Sequence, residues 1–184
     1  IPFWFNTRPE NVSAEKLAVL KSVGCDRISF GLECGNQEFR KNVVKRNPTN
    51  EEILKSFDVI SESKIAFSIN NIIGFPDENR DLIFETIELN RQIRGYDSIT
   101  VSIFTPYHGT ALRKLAVQRG YLDDSIITSP TTSSAILNMP ALPASEIDAL
   151  MKTFTMYVKF PKEEWPKIKI AEATTAEGDK VFGE

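Results

Sequence analysis

Cysteine and histidine are scarce in this 184-residue chain, with two of the first and one of the second. Two thiols cannot staple a chain of this size, which excludes a disulfide-built secreted scaffold. The single histidine, His108, has no second ligand beside it at metal spacing and reads as a turn residue. Long apolar runs are missing too: no stretch approaches the ~20 residues that a membrane-spanning helix requires. The first residues lack the charged, apolar, small-residue order of a signal peptide. Basic charge is not in excess. The formal net charge of −3 argues against a dedicated nucleic-acid binder, whose phosphate contacts need a surplus of Lys and Arg. A cytoplasmic location is the default expectation.

What is present is an ordinary globular composition, 41% hydrophobic and 26% charged, enough for one domain with a real core. Strand and helix patterns alternate along it. Strands are predicted over Ile1–Asn6, Arg27–Leu32, Ile65–Ile73 and Ser98–Phe104. Helices are predicted over Ala14–Val23 (Ser13 as N-cap, Gly24 as stop), from about Gln37, after Thr49, and over Arg80–Arg94 and Thr110–Gln118. The Thr49-Asn50-Glu51-Glu52 run is a capping-box pattern. This order points to a parallel sheet with helical crossovers. Residues 123–142 read as a long loop. Within 143–184, Ile147, Leu150, Met151, Phe154 and Val158 recur at helical spacing, and a Trp165-Pro166 break leads to a polar tail expected to fray. The lysines from Lys162 to Lys169, near Trp165, suit the snorkelling side of an amphipathic helix better than a nucleic-acid contact.

Strand side chains alternate between two faces. Ile28, Phe30 and Leu32 oppose Ser29, Gly31 and Glu33; Phe67 and Ile69 oppose Ser68 and Asn70; Ile99, Val101 and Ile103 oppose Thr100, Ser102 and Phe104. In the first strand Phe3 and Phe5 oppose Trp4, Asn6 and, just past its end, Arg8. One face suits helix packing. The other is small and polar, whereas a filled barrel carries bulky branched residues inside. The expected fold is therefore α/β: a partial (β/α) TIM-like barrel over residues 1–122, with ligand space in its lumen, followed by the loop and a C-terminal helical extension.

Each of the later strands ends in a distinctive tail: Gly31-Leu32-Glu33-Cys34-Gly35, then Ile72-Ile73-Gly74-Phe75-Pro76-Asp77-Glu78, then Thr105-Pro106-Tyr107-His108-Gly109-Thr110. In α/β barrels such tails lie on the functional face. In this order they resemble the second half of the radical S-adenosylmethionine core, whose pattern is Gly-x-Glu-Ser-Gly, Gly-x-Pro-Gly-Glu and Thr-Pro-Tyr-Pro-Gly-Thr. Cys34, Asp77 and His108 depart from that pattern, standing where Ser, Gly and Pro are usual.

The resemblance implies that S-adenosylmethionine binds in the lumen. Glu33 would accept hydrogen bonds from its amine or ribose, with Cys34, Gly35 and Asn70 beside it. Ile72, Gly74, Pro76 and Tyr107 would face the adenine, and Arg8 and Arg46 would meet cofactor or substrate anions. It further implies that a parent enzyme uses a reduced 4Fe-4S cluster to cleave the cofactor and abstract a substrate hydrogen through a 5′-deoxyadenosyl radical. The family holds that cluster on a Cys-x₃-Cys-x₂-Cys loop. Here Cys25 and Cys34 stand nine residues apart and form no such run. The expectation is thus the later part of a radical SAM Fe-S oxidoreductase, its cluster loop and roughly two βα units of about 30 residues each lying upstream, and the remainder of the parent chain its partner. The segment from Leu137 to Lys162 resembles the C-terminal region of cobalamin-binding members. Two rivals are an acid–base barrel lyase with Glu33 as base, which would need a Lys or His nearby, and a non-catalytic ligand- or partner-binding barrel module. The substrate is not legible.

Overall fold

The computed structural model describes residues 1–128 and 134–183. Four strands, β1 (Phe3–Thr7), β2 (Cys25–Glu33), β3 (Ala66–Ile73) and β4 (Ser98–Ile103), form one sheet in the order β1-β2-β3-β4, every pair parallel. The crossovers carry α1 (Ala14–Ser22), the short α2 (Gln37–Phe39) with a π-helical turn Arg40–Val44, α3 (Asn50–Ser63) and α4 (Arg80–Gln92). After β4 come α5 (Ala111–Gln118), α6 (Ala144–Lys159), α7 (Trp165–Ala171) and α8 (Ala176–Gly183). The sheet is a barrel segment whose β1 and β4 margins are not joined to each other, with helices outside and a C-terminal helical extension. No described helix is long and apolar enough to cross a membrane.

Local chemistry starts the helices where the sequence places them. Ser13 accepts from the Lys16 N–H at 3.4 Å, and Thr49 and Glu52 form a reciprocal capping box, with Glu52 N–H donating to Thr49 Oγ1 at 3.1 Å and Thr49 N–H to Glu52 Oε2 at 2.7 Å. The Trp165-Pro166 pair opens α7 instead of breaking the chain. Proline fits the first turn, where its missing N–H would have no helical partner. The polar tail forms α8, packed on α7. The long loop is described except for 129–133. Its Leu137, Met139 and Leu142, with Leu122 just before it, are buried in the core, and Met139 and Leu142 form an isolated bridge.

The helix-facing side of the sheet is the core. Ile28, Phe30, Leu32 and Ile69 are fully buried, and Phe30 meets Phe57 of α3 and Phe67 of β3 edge-on, with centroids 5.8 and 6.1 Å away. One apolar cluster runs from Leu17 through the sheet to Ile147 and Phe154 of α6 and Ile168 of α7, so the extension shares the core of the strands. Asn71 interrupts the apolar face. It is 1% exposed and exchanges amide hydrogen bonds with Asn90 of α4 (2.8 and 3.2 Å), while Asn90 also donates to Thr86 O. A polar pair is tolerated there because each amide is satisfied by the other and by backbone carbonyls.

Candidate functional site

Register arranges the polar face in layers. Asn6, Ser29, Ser68 and Ser98 stand level across all four strands, with the Ser29 and Ser68 hydroxyls 2.8 Å apart. The next level up holds Gly31, Asn70 and Thr100, and Thr100 Oγ1 donates to Asn70 Oδ1 at 2.8 Å. Ile72 and Ser102 stand above them. A hollow of about 520 Å³ opens over these upper levels, lined by Asn6, Thr7, Arg8, Gly31, Glu33, Asn70, Asn71, Ile72, Thr100 and Ser102. It lies toward the carboxyl ends of the strands, where crossover loops converge.

Glu33 ends β2 in the left-handed region (φ 69°), across a register irregularity between Gly31 and Glu33. Its carboxylate folds back over Gly31: a methyl group there would run into Glu33 Oε1. Glycine is needed for this close approach rather than for its backbone freedom. The side chain is 25% exposed, and Arg46 Nη1 lies 3.9 Å from Oε1. Burial pushes the Glu33 carboxyl above its ordinary range, and the positive charges of Arg46 and Arg8 pull it part of the way back. Arg46 is itself nearly buried. It donates to Gly31 O at 2.9 Å and to both carboxylate oxygens of Glu10 at 3.1 Å. Arg8 is exposed at the rim. One carboxylate facing two guanidiniums over a neutral amide-and-hydroxyl floor suits a ligand carrying charges of both signs.

Of the residues singled out from sequence, the fold thus brings Arg8, Glu33, Asn70 and Ile72 to one hollow, with Arg46 directly behind Glu33. The others stand back from it. Cys34 is fully buried, its thiol pushed up to about 12 chiefly by burial. Gly35 donates its N–H to Thr86 Oγ1 at 2.8 Å and packs against the Glu85–Thr86 backbone so closely that no side chain fits. Gly74 (φ 84°) donates to Glu78 and faces Ile147 of α6, and Pro76 is buried. Tyr107 is 48% exposed on the β4–α5 loop and does not line the hollow. Neither does His108.

Three residues that shape the site escaped sequence reasoning. Glu10 holds Arg46 from 36 positions away. Arg40 is buried under the β2–α2 turn. Glu78 is fully buried and accepts the Gly74 and Phe75 N–H groups through Oε2, which fixes the β3–α4 turn. Only Glu78 carried a signal, its place in the second strand tail. Among the described residues no group of three His, Cys, Asp or Glu is placed to hold a metal. The two cysteines sit at opposite ends of β2, and Cys34 strongly favours its thiol form, so these residues do not fit an iron–sulfur cluster.

Residues 1–89 match the model of the radical SAM superfamily. An uncharacterized methyltransferase, PH0819, of Pyrococcus horikoshii is 26% identical over 85% of this chain and 34% of its own length. A tRNA-2-methylthio-N(6)-dimethylallyladenosine synthase of Thermodesulfovibrio yellowstonii is 30% identical over 61% of this chain and 26% of its own length. Coproporphyrinogen III oxidase from Escherichia coli, described as a radical SAM enzyme, superposes with a TM-score of 0.56 at 18% identity, over 85% of this chain and 32% of that one. The chain spans about a third or less of the proteins it matches here.

Proposed function

We propose that this chain, which carries the radical SAM superfamily fold, supplies the later strands of a radical SAM enzyme's barrel and binds part of S-adenosylmethionine, together with substrate, in the polar hollow. The observation that carries the reading is the meeting of Glu33, Arg8 and Asn70 with the apolar Ile72 in one hollow. The cofactor's amino-acid end carries an ammonium, a sulfonium and a carboxylate. Glu33 is an acceptor-only group for the ammonium or for the ribose hydroxyls, and Arg8 and Arg46 are donors for the carboxylate. Asn70 offers an amide beside the ribose, and Ile72 offers an apolar wall for the adenine. Cys34 and Gly35 hold the turn that aims Glu33.

Bound beside a reduced 4Fe-4S cluster held by the rest of a parent chain, S-adenosylmethionine supplies hydrogen-abstraction chemistry. This chain's residues bind, orient and wall off. The match to a methyltransferase and a methylthio synthase favours a group-transfer parent, and a cobalamin-binding one remains part of the proposal through the Leu137–Lys162 likeness. Among the described residues no lysine or histidine lines the hollow, which disfavours an acid–base lyase. The test is calorimetric titration of the chain with S-adenosylmethionine, alongside Glu33→Ala. Saturable binding weakened on the order of tenfold or more by the substitution supports the reading. Absence of binding to the wild-type chain, or binding indifferent to Glu33, sinks it. Reading the parent gene for a Cys-x₃-Cys-x₂-Cys run upstream tests the catalytic half.

A further inference from the structure

The turn that carries Glu33 is tied down from beneath by Arg40. This side chain is fully buried. Its Nη1 donates to Cys34 O at 2.8 Å and Gly35 O at 3.4 Å, and its Nη2 to Pro48 O at 2.7 Å and Asn50 Oδ1 at 2.8 Å. Asn50 closes the clamp by donating to the same Gly35 carbonyl at 3.0 Å. No ion pair to Arg40 is present among the described residues, so a full charge is held inside by neutral oxygens alone. An apolar side chain would fill this space without desolvating a charge. What the guanidinium adds is direction, since its planar fork fixes two chain segments against each other.

The same residue begins the π-helical turn Arg40–Val44. That turn ends at Lys45 in the left-handed region (φ 60°), and the N–H groups of both Lys45 and Arg46 return to the Arg40 carbonyl. A wide turn adds a residue to the helix and re-aims the chain beyond it. The residue so aimed is Arg46, whose guanidinium lands on Gly31 O, Glu10 and the flank of Glu33. One residue therefore holds the backbone just after Glu33 with its side chain and starts Arg46 with its carbonyl.

We infer that Arg40 is the positioning residue of the Glu33–Arg46 pair, setting the distance between the carboxylate and the guanidinium that faces it. This rests on the reading of the hollow as a cofactor site. Arg113 of α5 supplies an internal control. It too is buried, and its fork lies on the carbonyl oxygens of Pro106, Asp124 and Ile126 at 3.1, 2.9 and 2.8 Å, with its Nε 3.4 Å from the Asp124 carboxylate, but it holds the chain after β4 and none of its contacts reaches the Glu33 turn.

The test tracks the Glu33 carboxyl by NMR titration in the ligand-free chain and, in parallel, measures S-adenosylhomocysteine affinity by calorimetry. The proteins compared are wild type, Arg40→Lys, Asn50→Ala and Arg113→Lys. Lysine keeps charge and reach but loses the fork. The groups acting on Glu33 are Arg46 and Arg8, with Glu10 behind Arg46. Arg40→Lys and Asn50→Ala are expected to move the Glu33 titration upward, as Arg46 withdraws, and to weaken binding about tenfold. Arg113→Lys is expected to move neither. An unmoved Glu33 titration in Arg40→Lys, or an equal movement in Arg113→Lys, overturns the inference. Should Arg40→Lys fail to fold, Asn50→Ala decides by the same criteria, because it loosens the clamp and leaves the charge in place. If the wild-type chain binds no S-adenosylhomocysteine, the cofactor reading fails, and the Glu33 titration alone then decides the role of Arg40.

Discussion

Replacing Glu78 by glutamine tests how the β3–α4 turn is held. Glu78 is fully buried, and Oε2 accepts from Gly74 N–H and, at 3.1 Å, from Phe75 N–H, while Oε1 has no partner. Two effects compete. The two N–H donors favour the carboxylate, and burial favours the acid. Burial wins, pushing the group from its ordinary 4.5 up to about 8. Between those values the unfolded chain is ionised and the folded chain keeps its proton, so the folded state binds more protons and stability falls as pH rises through the window. At ~1.36 kcal/mol per pH unit the full effect is on the order of 5 kcal/mol, and relaxation around the charge reduces it to ~2–5 kcal/mol.

Glutamine retains the shape and one acceptor oxygen and cannot titrate. Its NH₂ group stands where the neutral acid's own unpartnered O–H would be, so the two buried side chains are closely alike while Glu78 keeps its proton. In urea unfolding at fixed temperature, wild type should therefore lose stability relative to the variant as pH rises from 5 to 8. Subtracting one protein from the other cancels groups that titrate alike in both, and Cys34, the neighbouring thiol, titrates outside this window. A difference between the two proteins that stays constant within ~0.5 kcal/mol from pH 5 to 8 refutes the reasoning. It would mean that the two backbone donors outweigh burial and that Glu78 is ionised throughout.

Gly31→Ala should push the Glu33 carboxylate off its seat, because the added methyl meets only the end of a flexible side chain. Calorimetry is expected to show S-adenosylhomocysteine affinity down about tenfold while the urea midpoint shifts by no more than ~1 kcal/mol equivalent; unchanged affinity would contradict the close approach seen here. Arg80→Met removes the link that joins α4 to Glu146 (2.9 Å) and to Glu172 (2.6 Å), and leaves Glu172 at 7% side-chain exposure with only Lys169 and Tyr157. A loss of ~2–3 kcal/mol is expected, with earlier hydrogen exchange in α7 and α8 than in the sheet. Burial tends to raise the Glu172 carboxyl, but its contacts with Arg80, Lys169 and Tyr157 outweigh that and hold it below the ordinary range. The contribution is therefore present at neutral pH and lost as pH falls through the folded value, so the variant and wild type should converge in acid. Uniform protection of α7 and α8 in Arg80→Met would refute the linking role.

The sequence by itself determined what depends on spacing along the chain. Alternation sorted Ile28, Phe30 and Leu32 from Ser29, Gly31 and Glu33, because adjacent strand residues point to opposite faces whatever lies beyond them. Ser13 and Thr49 announced their helices, because a cap closes within three or four residues. The order of strands and helices implied parallel pairing, since a crossover returns each strand in the same direction. Where neighbours across the fold decide, the chain was silent. Gly35 was placed beside the cofactor, and that α4 lies against it 51 residues later is visible only in the fold. Asn71 breaks the apolar alternation for a reason visible only once Asn90 stands opposite. The arginines could be seen, but not which oxygens they meet: Arg46 was assigned to a ligand, and the turn that follows β1 also gives it Glu10. Whether the Glu33 carboxyl faces water, an arginine or a ligand depends on burial and distance, and those belong to the assembled sheet. Strand phase put Glu33 on the polar face, and tertiary structure alone set its charge environment.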